Sequence, residues 1–300
     1  MVRVVLIAAL VGLMALAVTG SARGQEMAEA PAESPEPGPQ GAAESHAAIR
    51  TIVIDPGHGG DEVGAVGRSG VYEKDLALDI ARRLRDRLAS GGRFEVLLTR
   101  SSDQSVGLRE RTAIANHASA DLFVSIHLNS SRRLSAHGTE TYFLSLTASD
   151  EEAMSLARAE NRGGSRRLPA AGGKADDDGP DGEEGGDGGD ADLEMILWDL
   201  AQSEHLARSS RLADMIQDEM NRLLGVSSRG IKQAPFTVLM GATMPAVLVE
   251  VAFLSNKEEE QQLGSADFRS RVAVALESAI LRFKDEMERS GGPGPAGPRP

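Results

Sequence analysis

His58, Glu73, His127 and Glu250 are the residues of this 300-residue chain whose types and settings could do chemistry together. His58 follows an apolar, β-branched run, Thr51–Ile54, that reads as a buried strand, and the Asp55-Pro56-Gly57 turn that cuts it off. Gly57, Gly59 and Gly60 leave its imidazole uncrowded and let another group come close. Glu73, fifteen residues on, opens an amphipathic segment that runs to Leu88. His127 ends a second apolar run, Leu122–Ile126, as His58 ends the first. Two histidines and a glutamate are the ligand set of a catalytic zinc site, which keeps one position open for water. Glu250 is the only charge in the apolar run Val247–Val251. A carboxylate there is costly to bury unless it is paired or has a task, and general base beside a zinc-activated water is such a task.

Other chemistries find less support. The chain has no cysteine, which removes disulfides, thiolate nucleophiles, Cys-based zinc sites and a lipidated cysteine. His46 falls in a Pro-rich stretch, His117 near a helix end, His137 in a loop and His205 in a helix. All four read as surface residues, with His137, ten residues from His127, the first substitute ligand. Ser125 and His127 share a strand face but lie in line, and no G-x-S-x-G elbow surrounds the serine.

The elements that must position these residues alternate strand and helix. Thr51–Ile54 leads into a helix from Glu73 to Leu88, with Leu76, Ile80, Leu84 and Leu88 on one face. Strand Phe94–Thr99, helix Leu108–His117 (Leu108, Ala113 and Ile114 inward), strand Asp121–His127 and strand Thr139–Leu144 follow. After a helix over Ser149–Asn161 come helical periods at 193–202 and Ser203–Leu224, strands at Phe236–Leu239 and Ala246–Val251, a short acidic helix at Ser255–Leu263, and a closing helix at Phe268–Met287. Trp198 reads as a packing anchor. The succession predicts a single α/β domain, residues 49–288, with a mostly parallel central sheet flanked by helices, hydrolase-like in architecture.

The DPGHGG motif at Asp55–Gly60, Glu73-Lys74-Asp75, Ser125–Ser130 (SIHLNS) and Pro245–Asn256 (PAVLVEVAFLSN) together resemble the zinc-dependent N-acetylmuramoyl-L-alanine amidases, over roughly residues 50–285. The resemblance implies an enzyme that holds Zn2+ on His58, Glu73 and His127. It hydrolyses the amide between N-acetylmuramic acid and L-alanine of peptidoglycan, with Glu250 as general base. Asn129 and Arg229 are candidates for supporting or substrate-binding roles. Two alternatives stay open: a zinc peptidase acting on another amide, and a wall-binding pseudoenzyme. A pseudoenzyme should lack a ligand or the base, and all four residues are present.

Residues 149–202 read as an insertion, since compact α/β units join a strand to the next helix in a few residues. Its helix ends RAENRGG and the chain resumes with ILWDLAQSEHLARSSRLA, which is similar to the autoinhibited, cell-division branch of the amidase family. In that branch an inserted helix covers the zinc and offers it a glutamate, and LytM-domain proteins release it. Glu160, thirty-three residues after His127, stands where that glutamate falls. Residues 163–192 are glycine-rich and acidic and read as a solvated loop. Asp177, Asp178, Asp181 and Glu183 lack the spacing of an EF-hand.

The flanks read as address and tether. Residues 1–24 carry Arg3, an apolar run Val4–Val18 and then small residues, the pattern of a secretory signal peptide, so the folded part is expected outside the cytoplasm, in the periplasm or secreted. No stable membrane insertion is expected after cleavage. Residues 25–48 read as an Ala/Pro/Glu-rich tether and 289–300 as a disordered tail. Loss of Arg3 and Arg23 with the signal leaves 30 basic against 45 acidic residues, a net of −15, which argues against a nucleic-acid partner.

Overall fold

A computed structural model of the chain describes residues 49–162, 190–225 and 227–290. The expected signal peptide, the tether and nearly all of the tail lie outside them. So does most of the acidic segment, whose last residues, 190–192, instead begin a helix.

Six strands form one sheet: β1 (Thr51–Pro56), β2 (Glu95–Leu98), β3 (Leu122–Asn129), β4 (Thr139–Leu144), β5 (Ser228–Ala234) and β6 (Ala246–Phe253). Their order is β2-β1-β3-β6-β4-β5. The first four in that order run parallel, and β4 turns against β6 with β5 parallel beside it. The mostly parallel α/β sheet is thus as expected. The helices are α1 (Glu73–Ala89), α2 (Leu108–His117), α3 (Glu151–Asn161), α4 (Asp190–Leu224), α5 (Lys257–Gly264) and α6 (Ala266–Ser290).

Strand parity sorts the chemistry from the main core. Ile52, Ile54, Val124, Ile126, Val247 and Val249 point to one face and pack under α1, α4 and α6. Val53, Phe123, Tyr142 and Leu248 point to the other, under α2 and α3. Because side chains alternate with period two, Asp55, Ser125, His127, Glu140 and Glu250 all fall on this second face. The α3 helix lies on it through buried Ala153, Leu156 and Ala157.

Three expectations need correction. Phe236–Leu239 is not a strand: Thr237–Leu239 is a single 3₁₀ turn, and the edge strand is β5, whose polar SRGIKQA hides its period because an edge strand has no deep apolar face. The two helical periods after residue 193 form one continuous helix, α4. In α2 Leu108 packs against the core as expected, but Ala113 is exposed and Ile114 only half-buried, and the fully buried residues are Arg111, Thr112 and Ala115. The helix rolls so that the Arg111 guanidinium meets the buried carboxylate of Asp55. No described helix is long and apolar enough to cross a membrane.

Candidate metal centre and active site

Parallel strands β1 and β3 end side by side, with Asp55 level with Ser125 and Pro56 with Ile126, so the chain leaves β1 toward His58 directly beside His127. Gly57 N–H donates to Ile126 O at 2.9 Å. A Cβ on Gly57 would lie 2.6–2.8 Å from the His127 ring, so only glycine lets the two segments touch. His58 itself takes a left-handed backbone, φ 56°, a conformation that costs about 1–3 kcal/mol in a non-glycine residue.

Two buried arginines hold that strained turn. Arg111 donates to Asp55 Oδ1 (2.8 Å), Pro56 O (2.8 Å) and His58 O (3.0 Å). Arg100 donates to Pro56 O (3.0 Å), Gly57 O (2.7 Å) and Lys74 O (2.8 Å), tying the turn to the start of α1. Burial alone would raise the Asp55 carboxyl, but Arg111, Thr99 and Ser125 together hold it below the usual range. Sequence reasoning missed both arginines, since a charged residue reads as exposed. The available signal was Asp55, a carboxylate at the end of an apolar strand that needs a cation.

Glu73 is fixed by backbone donors: Ala65 N–H to Oε2 at 2.7 Å and Leu128 N–H to Oε1 at 2.9 Å. Its Oε1 then faces both histidines, 3.1 Å from His58 Nε2 and 3.1 Å from His127 Nδ1. Glu160, from α3, brings Oε2 to 3.4 Å from His58 Nε2 and 3.3 Å from His127 Nδ1. His58, Glu73 and His127 form one group able to hold an ion, and His127, Glu160 and Glu250 a second that shares a member.

The donor set fits a tetrahedral divalent cation. Ligand bonds of about 2.0–2.1 Å set tetrahedral edges near 3.3 Å, and the four measured edges run from 3.1 to 3.4 Å. His58 Nε2 is buried and makes no hydrogen bond, although two carboxylate oxygens are close. Gly64 completes the cradle: a Cβ there would sit 2.4 Å from His58 Cδ2 and 2.5 Å from Glu73 Oε2. Both histidines and Glu73 are at least 95% buried. Burial works against a charged His127, yet Glu160 and Glu73 raise its pKa well above the ordinary value. For Glu73 burial is outweighed by the two histidines, and its pKa is depressed.

Glu250 stands next to these donors, level with His127 across the β3–β6 pairing. Its Oε2 is buried without a partner. Burial raises its pKa well above the carboxylate range, opposed by His127 and assisted by Glu73, Glu160 and Glu140. The cavity left beneath α3 measures about 20 Å³ and is lined by His58, Glu73, Leu156 and Glu160 among others. It has room for about one water.

The remaining expected residues sit one layer out. Asn129 donates to Glu140 Oε2 at 2.9 Å, and Arg229 donates to Glu140 Oε1 at 2.6 Å and Glu152 Oε2 at 2.7 Å. His137 is exposed and turned to Ser135 O, outside both donor groups. Ser125 gives its hydroxyl to Asp55 at 2.7 Å.

Comparison with known proteins agrees with this geometry. The sequence profile of the Amidase_3 family, described as N-acetylmuramoyl-L-alanine amidase, matches residues 52–282. The chain is 37% identical over 235 residues to Escherichia coli K12 N-acetylmuramoyl-L-alanine amidase AmiA, covering 78% of this chain and 76% of that protein. It is 33% identical over 237 residues to AmiC of Neisseria meningitidis, covering 77% of this chain but 52% of that protein. Among solved structures, an N-acetylmuramoyl-L-alanine amidase from Clostridium difficile 630 superposes with TM-score 0.56 at 27% identity, over 80% of this chain and 98% of that one. The catalytic domain of CwlV from Bacillus (Paenibacillus) polymyxa gives 0.55 at 30%, over 79% and 99%. The chain belongs to the N-acetylmuramoyl-L-alanine amidase family.

Proposed function

We propose that the chain is an exported, zinc-dependent N-acetylmuramoyl-L-alanine amidase that cuts the stem peptide from peptidoglycan and rests in an inhibited state. The observation that carries this reading is the convergence of four donor atoms, from His58, Glu73, His127 and Glu160, beside the partnerless carboxylate of Glu250.

His58, Glu73 and His127 are the three ligands that stay, and Zn2+ held there would lower the pKa of a water toward about 7 and polarise the scissile carbonyl. Backbone donors from Ala65 and Leu128 keep Glu73 aimed, and Arg100 and Arg111 keep the His58 turn in place. Glu250 Oε2 accepts the proton of the attacking water and passes it to the leaving amine nitrogen.

Glu160 fits the role of gate. On this reading its carboxylate takes the position that the attacking water needs, which the lining of the cavity by Leu156, Ala159 and Glu160 of α3 supports. Release then requires a partner with higher affinity for the open state. Moving a 1:99 equilibrium to 99:1 needs about 5.5 kcal/mol of such preference, and a LytM-domain activator is the partner we propose. The insertion at 149–202, the signal peptide at 1–24 and a periplasmic location belong to the same reading.

Metal analysis of purified protein provides the test. Wild type should hold one zinc per chain, and His127→Ala should lose metal and wall-digesting activity together. A full equivalent of tightly bound zinc in His127→Ala would refute the ligand assignment.

A further inference from the structure

The α3 segment carries four carboxylates, and three of them, Asp150, Glu152 and Glu160, are docked on positive or metal-ligating groups. Glu160 faces the donors. At the other end Glu152 Oε2 lies 2.7 Å from Arg229 Nη2, and Asp150 Oδ2 lies 3.2 Å from Lys232 Nζ. Arg229 and Lys232 also share one internal anion, Glu140, at 2.6 and 3.1 Å. The second oxygen of Glu140 is filled by Asn129 (2.9 Å) and Tyr142 (2.7 Å).

With α3 seated, each cation has a second salt-bridge partner, Glu152 for Arg229 and Asp150 for Lys232. With α3 withdrawn, both lose that partner and keep the shared Glu140, at the edge where the donors lie. Glu140 is level with Glu250 across the β4–β6 pairing, and the Arg229 guanidinium rests 5.2 Å from the ring centre of Phe253 at the end of β6. A planar guanidinium with its fork freed is suited to bind a carboxylate.

The helix also fixes a distance. Glu152 and Glu160 are eight positions apart, an interval that stays on one broad helix face, and at 1.5 Å per residue they are about 12 Å apart along the axis. An extended peptide covers that span in three to four residues at about 3.3 Å each.

We infer that Arg229 and Lys232 form a subsite for a peptide carboxylate three to four residues from the scissile amide, and that α3 occupies it as a substrate mimic through Glu152 and Asp150. The inference rests on the amidase reading for the position of the scissile bond. It makes an anionic stem peptide and the inhibitory helix competitors for the same two cations, and it gives Arg229 and Lys232 a part in specificity rather than in bond cleavage.

Two synthetic N-acetylmuramoyl peptides test it, identical except that the carboxylate at the third or fourth residue is free in one and amidated in the other. The readout is the ratio of kcat/KM for acid over amide in the zinc-loaded Glu160→Ala chain, because any effect on helix seating cancels in a ratio. A ratio of about ten, the worth of one charge-assisted hydrogen bond, should fall to near one in Arg229→Gln and drop in Lys232→Gln, mainly through KM. Equal rates on both peptides in the parent, or a ratio that survives both substitutions, overturns the subsite. A second readout needs no turnover. In the chain with Glu160 intact, the acid peptide should speed amide hydrogen exchange in residues 151–161 more than its amide does, and Glu152→Gln should speed it without peptide. If neither peptide is cut, the amidase reading fails, and the exchange data still decide the subsite.

Discussion

Asp55→Asn removes one buried charge and almost no volume. Asp55 is fully buried and accepts from Thr99 Oγ1 (2.5 Å), Ser125 Oγ (2.7 Å) and Arg111 Nη1 (2.8 Å). Asparagine keeps one carbonyl acceptor, and the hydroxyls of Thr99 and Ser125 can turn to receive its amide. Arg111, 1% exposed, is then left without an anion. Breaking a buried pair from one side costs about 3–5 kcal/mol. Arg111 retains the carbonyls of Val106, Pro56 and His58, so the low end, about 3 kcal/mol, applies. In a domain of this size 1 kcal/mol moves Tm by about 2–4 °C, which makes the loss about 6–12 °C. Urea and thermal unfolding of the metal-free protein at neutral pH measure it. The sign of the pH dependence follows from the depressed folded pKa of Asp55. Its stabilisation is fully present above the unfolded value, about 3.9, and is lost as pH falls through the folded one. The gap between wild type and Asp55→Asn should therefore narrow below about pH 4. A loss under about 1 kcal/mol, or a gap unchanged through the acid range, would refute the pairing as the source of rigidity.

Three further outcomes follow from the same contacts. Gly64→Ala should weaken zinc binding at least about tenfold, since its Cβ meets both His58 and Glu73 below 3 Å and its φ is +68°; competition with a chromogenic chelator reads this, and unchanged affinity contradicts the cradle. Glu160→Ala should raise basal digestion of purified peptidoglycan without any partner, while zinc is retained on the three remaining ligands; if it stays as slow as wild type with zinc in place, Glu160 is not a gate. Arg100→Lys should lower metal affinity more than it lowers stability, because an ammonium cannot span Pro56 O, Gly57 O and Lys74 O at once; equal zinc affinity in the variant argues against a positioning role.

The parts of the site that were legible in the sequence are those where a polar residue interrupts an apolar run. His58, His127 and Glu250 end or break β-branched stretches, and Glu73 opens a strongly periodic helix. Local pattern also marked the central strands and the buried stripe of α1. What stayed hidden depends on contacts between distant segments. Arg100 and Arg111 look like surface charges until Asp55 and the carbonyls of the His58 turn surround them. The same contact rolls α2 onto an unexpected face. The β5 strand reads as a loop because its partner on one side supplies the pairing that its own side chains do not announce. Glu160 was placed by resemblance and spacing, and the fold seats its carboxylate within 3.4 Å of both histidines.

The central claim is that His58, Glu73 and His127 hold zinc while Glu250 moves the proton in cleavage of the muramoyl–alanine amide. Mass spectrometry of fragments released from purified peptidoglycan by the zinc-loaded Glu160→Ala chain, with and without Glu250→Gln, tests it most directly. The account predicts intact stem peptides with a free L-alanine amine from the first protein. It predicts a rate lower by at least about 10²–10⁴ from the second, with zinc content unchanged. Cleavage inside the stem peptide, or equal release by both proteins, would contradict it.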